Sequence, residues 1–213
     1  MSYIKLNLTN GTKLMAHHMQ HIENGIEIAN IDFDKTVHSI NHRGYSLSAP
    51  ENTLPAYILS KEKGFSYVEA DVSFTKDNVA VLLHDSTIDR TSNGSGNINT
   101  FNYEDLLQYD FGSWKDEKYS GTHIPTFSEF IILCKNIGLH PYIELKSSGA
   151  YTESQIQQIV SEVKACGMRK HVTWISFNKT FLDYVKTADE TARLGFLVSS
   201  DANDTNIAQI KTL

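Results

Sequence analysis

From Thr36 onward, short β-type runs alternate with punctuated helical stretches, and this alternation constrains the fold more than any other feature. The candidate strands are 36–41, 66–72, 79–84, 140–146, 172–177 and 193–199. The helical stretches between them carry explicit start and stop signals. Residues 54–63 end at Gly64. Residues 126–137 open on a Thr126/Glu129 capping box and end at Gly138; residues 152–166 open on Thr152 and Gln155 and end at Gly167. A further helix is expected over 180–187. Strands separated by whole helices pair in parallel, so the pattern predicts an α/β fold built from crossover units. A closed (β/α)8 barrel needs eight strands and about 250 residues. Six candidate strands and a final helical pattern over 202–213 predict a TIM-type barrel truncated after about six strands. One long polar stretch, 85–123, interrupts the alternation; it contains Asn93-Gly94-Ser95-Gly96 and a short helical piece over 103–108.

Residues 1–35 differ from the rest and read as a helical appendage to a domain spanning 36–213. Over 13–30, Met15, Met19, Ile22, Ile26 and Ala29 form a heptad-like seam of about two heptads, which points to a homo-oligomer contact. His17 and His21 share a face of that helix, where the ordinary reading is a solvated or interface pair. Charge excludes one class of partner: 19 basic against 25 acidic residues is no nucleic-acid footprint. The longest apolar runs are too short to span a bilayer, and no signal peptide is visible, so the expected location is the cytoplasm or a virion. Cys134 and Cys166 are expected to be packed, reduced thiols.

The ionisable residues fall at strand ends. The first strand runs into His42-Arg43-Gly44, the second carries Glu69 and Asp71, the third runs into His84-Asp85, and the fourth carries Glu144 and Lys146. Residues two apart in a strand share a face. Glu69 therefore faces with Asp71, and Glu144 with Lys146. At the carboxyl ends of adjacent parallel strands all would converge where α/β enzymes place their sites. Glu69, Asp71 and Glu144 make a hard oxygen cage suited to Mg²⁺ or Ca²⁺. His42 and His84, from different strands, are an acid/base pair. Arg43 and Lys146 supply positive charge for an anion such as phosphate. The chemistry indicated is metal-assisted displacement at phosphorus.

The ordered set His42-Arg43-Gly44, Pro50-Glu51-Asn52-Thr53 with Ala56-Tyr57, Glu69-Ala70-Asp71-Val72, Thr75-Lys76-Asp77, His84-Asp85, Arg90-Thr91, Gly94, Gly96, Ile124-Pro125-Thr126 and Glu144-Leu145-Lys146 resembles the glycerophosphodiester phosphodiesterases. Ser176-Phe177-Asn178 and Leu194-Gly195-Phe196-Leu197 extend the resemblance to about residue 200. It implies a TIM barrel with an insertion after the third strand, which 85–123 would supply. It places the metal site on Glu69, Asp71 and Glu144, the catalytic imidazoles on His42 and His84, and phosphate contacts on Arg43 and Lys146. It implies hydrolysis of glycerophosphodiesters to glycerol 3-phosphate and an alcohol. In that scheme a glycerol hydroxyl attacks phosphorus and water opens the cyclic intermediate, with one His as base and the other as acid. Glu51 and Asn52 belong to the family loop and are expected to support the site; Asp85 either orients His84 or caps a turn. Tyr57 stands where the family commonly has Phe.

The segment Leu8-Thr9-Asn10-Gly11-Thr12 through His21-Ile22-Glu23-Asn24-Gly25 is similar to short segments that begin phage tail or baseplate proteins. That resemblance implies a virion-attached enzyme acting on a glycerol-phosphate wall polymer, a teichoic acid. The competing implication is a catalytically inactive phage structural or wall-binding module on the same fold.

Overall fold

The computed structural model describes residues 39–146 and 151–198. The expected helix over 13–30, its His pair and heptad seam, the domain junction near residue 35 and the helical pattern over 202–213 lie outside them. In chain order the described elements are β1 (Ile40–Asn41), α1 (Leu54–Glu62), β2 (Tyr67–Phe74), β3 (Ala80–Leu82), α2 (Tyr103–Leu106), α3 (Phe127–Ile137), β4 (His140–Leu145), α4 (Glu153–Ala165), β5 (Thr173–Ser176), α5 (Lys179–Ala188) and β6 (Arg193–Phe196). Five strands form a parallel arc in the order β1-β2-β4-β5-β6. Among the described residues β1 and β6 do not pair, so the sheet is an open α/β barrel segment.

The third strand departs from the parallel expectation. β3 pairs antiparallel with β2, with Val72 opposite Leu82 and Phe74 opposite Ala80. The connection from Phe74 to Ala80 is too short for a parallel crossover, which takes a dozen residues or more. It is a tight turn instead: Thr75 Oγ1 donates to Asp77 and accepts from the Val79 amide, and Asn78 takes φ +62°. β3 therefore runs back beside β2 and carries the chain toward Asp71; the Leu83 amide donates to the Asp71 carbonyl at 3.1 Å. His84 arrives at the site by this hairpin, not at the end of a parallel strand.

The helices begin and end where their caps dictate. Thr126 accepts from the Glu129 amide and Gly138 closes α3 at φ +68°. Thr152 and Gln155 form the equivalent box on α4. The faces of α3, α4 and α5 that carry Phe130, Ile131, Ile159, Val163, Leu182 and Val185 pack with Val68, Ala70, Val72, Ile143 and Leu145 from one face of the sheet. Alternation then sends Tyr67, Glu69, Asp71, Tyr142 and Glu144 to the opposite face. Tyr142 and Ile175 form an apolar layer there with Ile40, Tyr67 and Phe177 packed against it. The carboxylates lie nearer the carboxyl ends of the strands, Asp71 directly opposite Glu144 in register.

The insertion after β3 has its own small core of Val81, Leu83, Ile88, Ile98, Leu106, Phe111 and Ile124. Its helical piece, α2, is a single turn shorter than 103–108. Cys134 and Cys166 are both free thiols, Cys134 buried and Cys166 partly so. None of the described helices is long and apolar enough to cross a membrane.

Candidate active site

The loop after β1 is shaped by two consecutive left-handed residues, Arg43 at φ +58° and Gly44 at φ +76°. A Cβ on Gly44 would lie 2.8 Å from Ala56 Cβ and 2.9 Å from the Ala56 carbonyl carbon. Only glycine tolerates both the backbone angle and that approach. Gly44→Ala is therefore expected to cost about 2–4 kcal/mol, combining left-handed strain with overpacking against backbone. Chemical denaturation measures it, and an unchanged midpoint contradicts the assignment. The turn aims the Arg43 amide at Glu69 Oε2, 2.9 Å away.

Glu69, Asp71 and Glu144 converge as expected. They are 1%, 0% and 6% exposed, and one oxygen from each lies within 4.8 Å of the others. Three of their oxygens, Glu69 Oε1, Asp71 Oδ1 and Glu144 Oε1, are buried without a hydrogen bond. Lys146 Nζ stands 3.4 Å from Asp71 Oδ1 and 3.2 Å from Glu144 Oε1, ion-pair distances that lack hydrogen-bond geometry. Burial, then the charges of Asp71 and Glu144, push the Glu69 carboxyl well above its ordinary value. Burial and Asp71 push Glu144 up as well, against Lys146. Orphaned buried oxygens of this kind are costly, and such a carboxylate cluster could hold a hard divalent cation. With every group ionised, Glu51, Glu69, Asp71, Asp85 and Glu144 would outnumber Arg43, Arg90 and Lys146 by two negative charges, and the raised Glu69 and Glu144 carboxyls reflect that excess in the absence of a cation.

Asn52 holds the cage from behind. Buried at φ +55°, it donates from Nδ2 to Asp71 Oδ2 at 2.8 Å and accepts at Oδ1 from the Asp71 amide at 3.2 Å. The Tyr57 hydroxyl donates to the same Oδ1 at 2.9 Å. That hydroxyl is what Tyr has and Phe lacks at this position, and it fixes the Asn52 amide. Arg43 bridges outward, with Nε 3.3 Å from Asp71 Oδ2 and Nη1 donating to Glu51 Oε1 at 2.8 Å.

The two imidazoles sit at the rim. His42 Nε2 is 3.7 Å from Glu69 Oε2, with its side chain 59% exposed. Partial burial and the Arg43 charge push His42 below its ordinary value. His84 Nδ1 lies 2.6 Å from Asp85 Oδ1. The hydrogen bond from Arg90, against partial desolvation and with help from His84, draws Asp85 down to about 2. An ionised carboxylate only accepts, so His84 donates from Nδ1 and presents Nε2. The contact has the geometry that the orienting role expected for Asp85 requires.

Three residues escaped the sequence reading of the site. Arg90 contacts both Glu51 and Asp85. Tyr57 anchors Asn52, and the Tyr151 hydroxyl links the Lys146 amide to the Val72 carbonyl at 3.1 and 2.6 Å. Arg90 lies in the aperiodic insertion, and its partner Glu51 comes from a loop 39 residues away, so only the ordered motif that includes Arg90-Thr91 signalled it.

A buried carboxylate triad beside two imidazoles and two cations, on the strand ends of an α/β barrel segment, defines a barrel protein of the phosphate-ester type. The chain belongs to the glycerophosphoryl diester phosphodiesterase family, which matches residues 42–212. It is 34% identical over 158 residues to a glycerophosphodiester phosphodiesterase of Caldanaerobacter subterraneus subsp. tengcongensis, covering 74% of this chain and 65% of that protein. A Bacillus subtilis glycerophosphodiester phosphodiesterase is 32% identical over 143 residues, with 62% of this chain and 48% of that protein covered. An Oleispira antarctica phosphodiesterase, solved with the product sn-glycerol-3-phosphate, superposes with a TM-score of 0.71 at 28% identity, covering 82% of this chain and 71% of that one. The chain thus spans about half to two-thirds of the length of these curated relatives. The family match begins at residue 42, so it lends no support to the phage-tail likeness expected for the segment before it.

Proposed function

We propose that this chain hydrolyses glycerophosphodiesters to glycerol 3-phosphate and an alcohol, with residues 36–213 as the catalytic domain and 1–35 as its appendage. The observation that carries the reading is the set of three orphaned, buried carboxylate oxygens facing two rim imidazoles. Glu69, Asp71 and Glu144 would hold a divalent cation, Mg²⁺ or Ca²⁺. When bound, that ion supplies charge neutralisation at the phosphoryl oxygens.

The chain's own groups do the rest. Arg43 and Lys146 border the triad and complement the remaining phosphoryl charge. One imidazole takes the proton of the attacking glycerol hydroxyl and the other gives a proton to the departing alcohol oxygen, with Asp85 holding His84 so that its Nε2 is presented for transfer. Water then opens the cyclic phosphodiester, with the two imidazoles exchanging roles. The inactive wall-binding alternative is disfavoured because it leaves three buried carboxylate oxygens without hydrogen bonds and without a cation to satisfy them.

Product identity tests the reading. Glycerophosphocholine should give glycerol 3-phosphate and choline, and a glycerol-phosphate polymer should release glycerol phosphate by the same bond cleavage. Phosphocholine and glycerol as the products would contradict the assigned direction of attack. Turnover of glycerophosphocholine but not of the polymer would restrict the substrate to small diesters.

A further inference from the structure

Arg90 touches neither the carboxylate triad nor either imidazole, yet it joins the two loops that carry the imidazoles. Its Nε donates to Asp85 Oδ2 at 2.7 Å and its Nη2 lies 3.3 Å from Asp85 Oδ1. Nη1 and Nη2 donate to Glu51 Oε2 and Oε1 at 2.8 and 2.7 Å. Asp85 holds His84, and Glu51 holds Arg43. Arg43 in turn reaches Asp71 through its side chain and Glu69 through its amide. One guanidinium therefore closes an unbroken polar chain from the imidazole of His84 to the floor of the carboxylate cage. Its planar fork engages two carboxylates at once, which a lysine ammonium cannot reproduce.

The geometry points to Arg90 as a positioning residue that locks the His84–Asp85 pair in register with the Arg43 loop. This rests on the proposed reaction. The insertion after β3 carries Arg90, whereas Glu51 precedes α1, so the contact spans 39 residues of sequence. Further along the insertion, Lys115 Nζ and the Tyr119 hydroxyl donate to the carbonyls of Ser46 and Ser48. Those two contacts tie the insertion to the same loop without touching the machinery. Arg90 is the strap that does touch it. Its side chain is 45% exposed, and exposed ion pairs add little to stability. The expected effect therefore falls on catalysis, not on folding.

The test compares wild type with Arg90→Ala and Arg90→Lys in the full chain. Arg90→Ala should lower kcat for glycerophosphocholine about 10- to 100-fold, the range for lost supporting partners of site residues, with KM altered less than threefold. Its melting temperature should move by a few degrees at most. Guanidinium ion added at millimolar concentration should restore part of the rate, and Arg90→Lys should recover less than half of it. Imidazole nitrogen chemical shifts, read in the same samples, should show wild-type His84 fixed with its proton on Nδ1 and the Arg90→Ala protein averaging both tautomers. Arg90→Ala with wild-type kcat and an unchanged His84 tautomer overturns the inference. If wild type itself does not turn over, the proposed reaction fails. The tautomer comparison then still decides whether Arg90 positions His84.

Discussion

His84→Ala is expected to lower kcat for glycerophosphocholine by about 10²- to 10⁴-fold, the usual worth of a positioned acid or base. Divalent-ion binding should survive, because His84 contributes no atom to the cluster of Glu69, Asp71 and Glu144. His42→Ala should fall in the same range, since its imidazole is the second proton-transfer group at the rim. The double variant should be little worse than either single one, because a displacement that lacks its base gains nothing from its acid. Steady-state kinetics with product detection measures all three. A His84 variant within threefold of wild type would remove the imidazole from the chemistry and leave Asp85 a turn residue.

Glu69→Gln should separate stability from activity. In wild type, burial and two neighbouring carboxylates oppose the charged form of Glu69. A Gln at this position keeps an oxygen for the Arg43 amide, which Glu69 Oε2 now accepts at 2.9 Å. It also puts an amide donor in place of the orphaned oxygen, beside the oxygens of Asp71 and Glu144 that accept no hydrogen bond. In the presence of chelator the variant should be more stable than wild type by about 1–3 kcal/mol, the scale on which relieving buried charge stabilises a protein. With a divalent ion present the order should reverse, because only wild type gains binding free energy from the ion. Activity should fall at least about 10³-fold through loss of the ion's charge stabilisation. Denaturation with and without metal reads both halves. A variant less stable than wild type in chelator would mean that the triad is satisfied without a cation.

The fold was largely legible because its signals are local. Thr126/Glu129 with Gly138 and Thr152/Gln155 with Gly167 delimit helices that the structure places within a residue of the expected bounds. The two-residue spacing of Glu69 and Asp71 predicted their shared face correctly. What failed locally was the direction of β3. The sequence does show a turn at Lys76-Asp77-Asn78 joining the two strands; a connection that short makes a hairpin, and counting the second strand among the parallel ones overlooked that consequence. The error was harmless for the site, since the hairpin returns His84 to Asp71 by another route.

The arrangement of the site was less legible than its membership. Register decides that Asp71 lies opposite Glu144 while Glu69 lies opposite Tyr142, and no local pattern encodes it. Arg90 acts partly through a partner far away in sequence, Glu51, 39 residues off. Tyr57 read as a mild exchange for Phe until its hydroxyl was seen on Asn52. Asn52 itself is more than a loop residue, because its amide holds both the Asp71 carboxylate and the Asp71 backbone.

The most direct measurement is a metal titration. The 213-residue chain is stripped with EDTA, dialysed, and assayed for glycerol 3-phosphate release from glycerophosphocholine as Mg²⁺ or Ca²⁺ is added back. The account predicts no release from stripped protein and a saturable return of activity with wild type, absent in Glu69→Gln. Release that is indifferent to EDTA would contradict the cage of Glu69, Asp71 and Glu144 as the centre of the reaction.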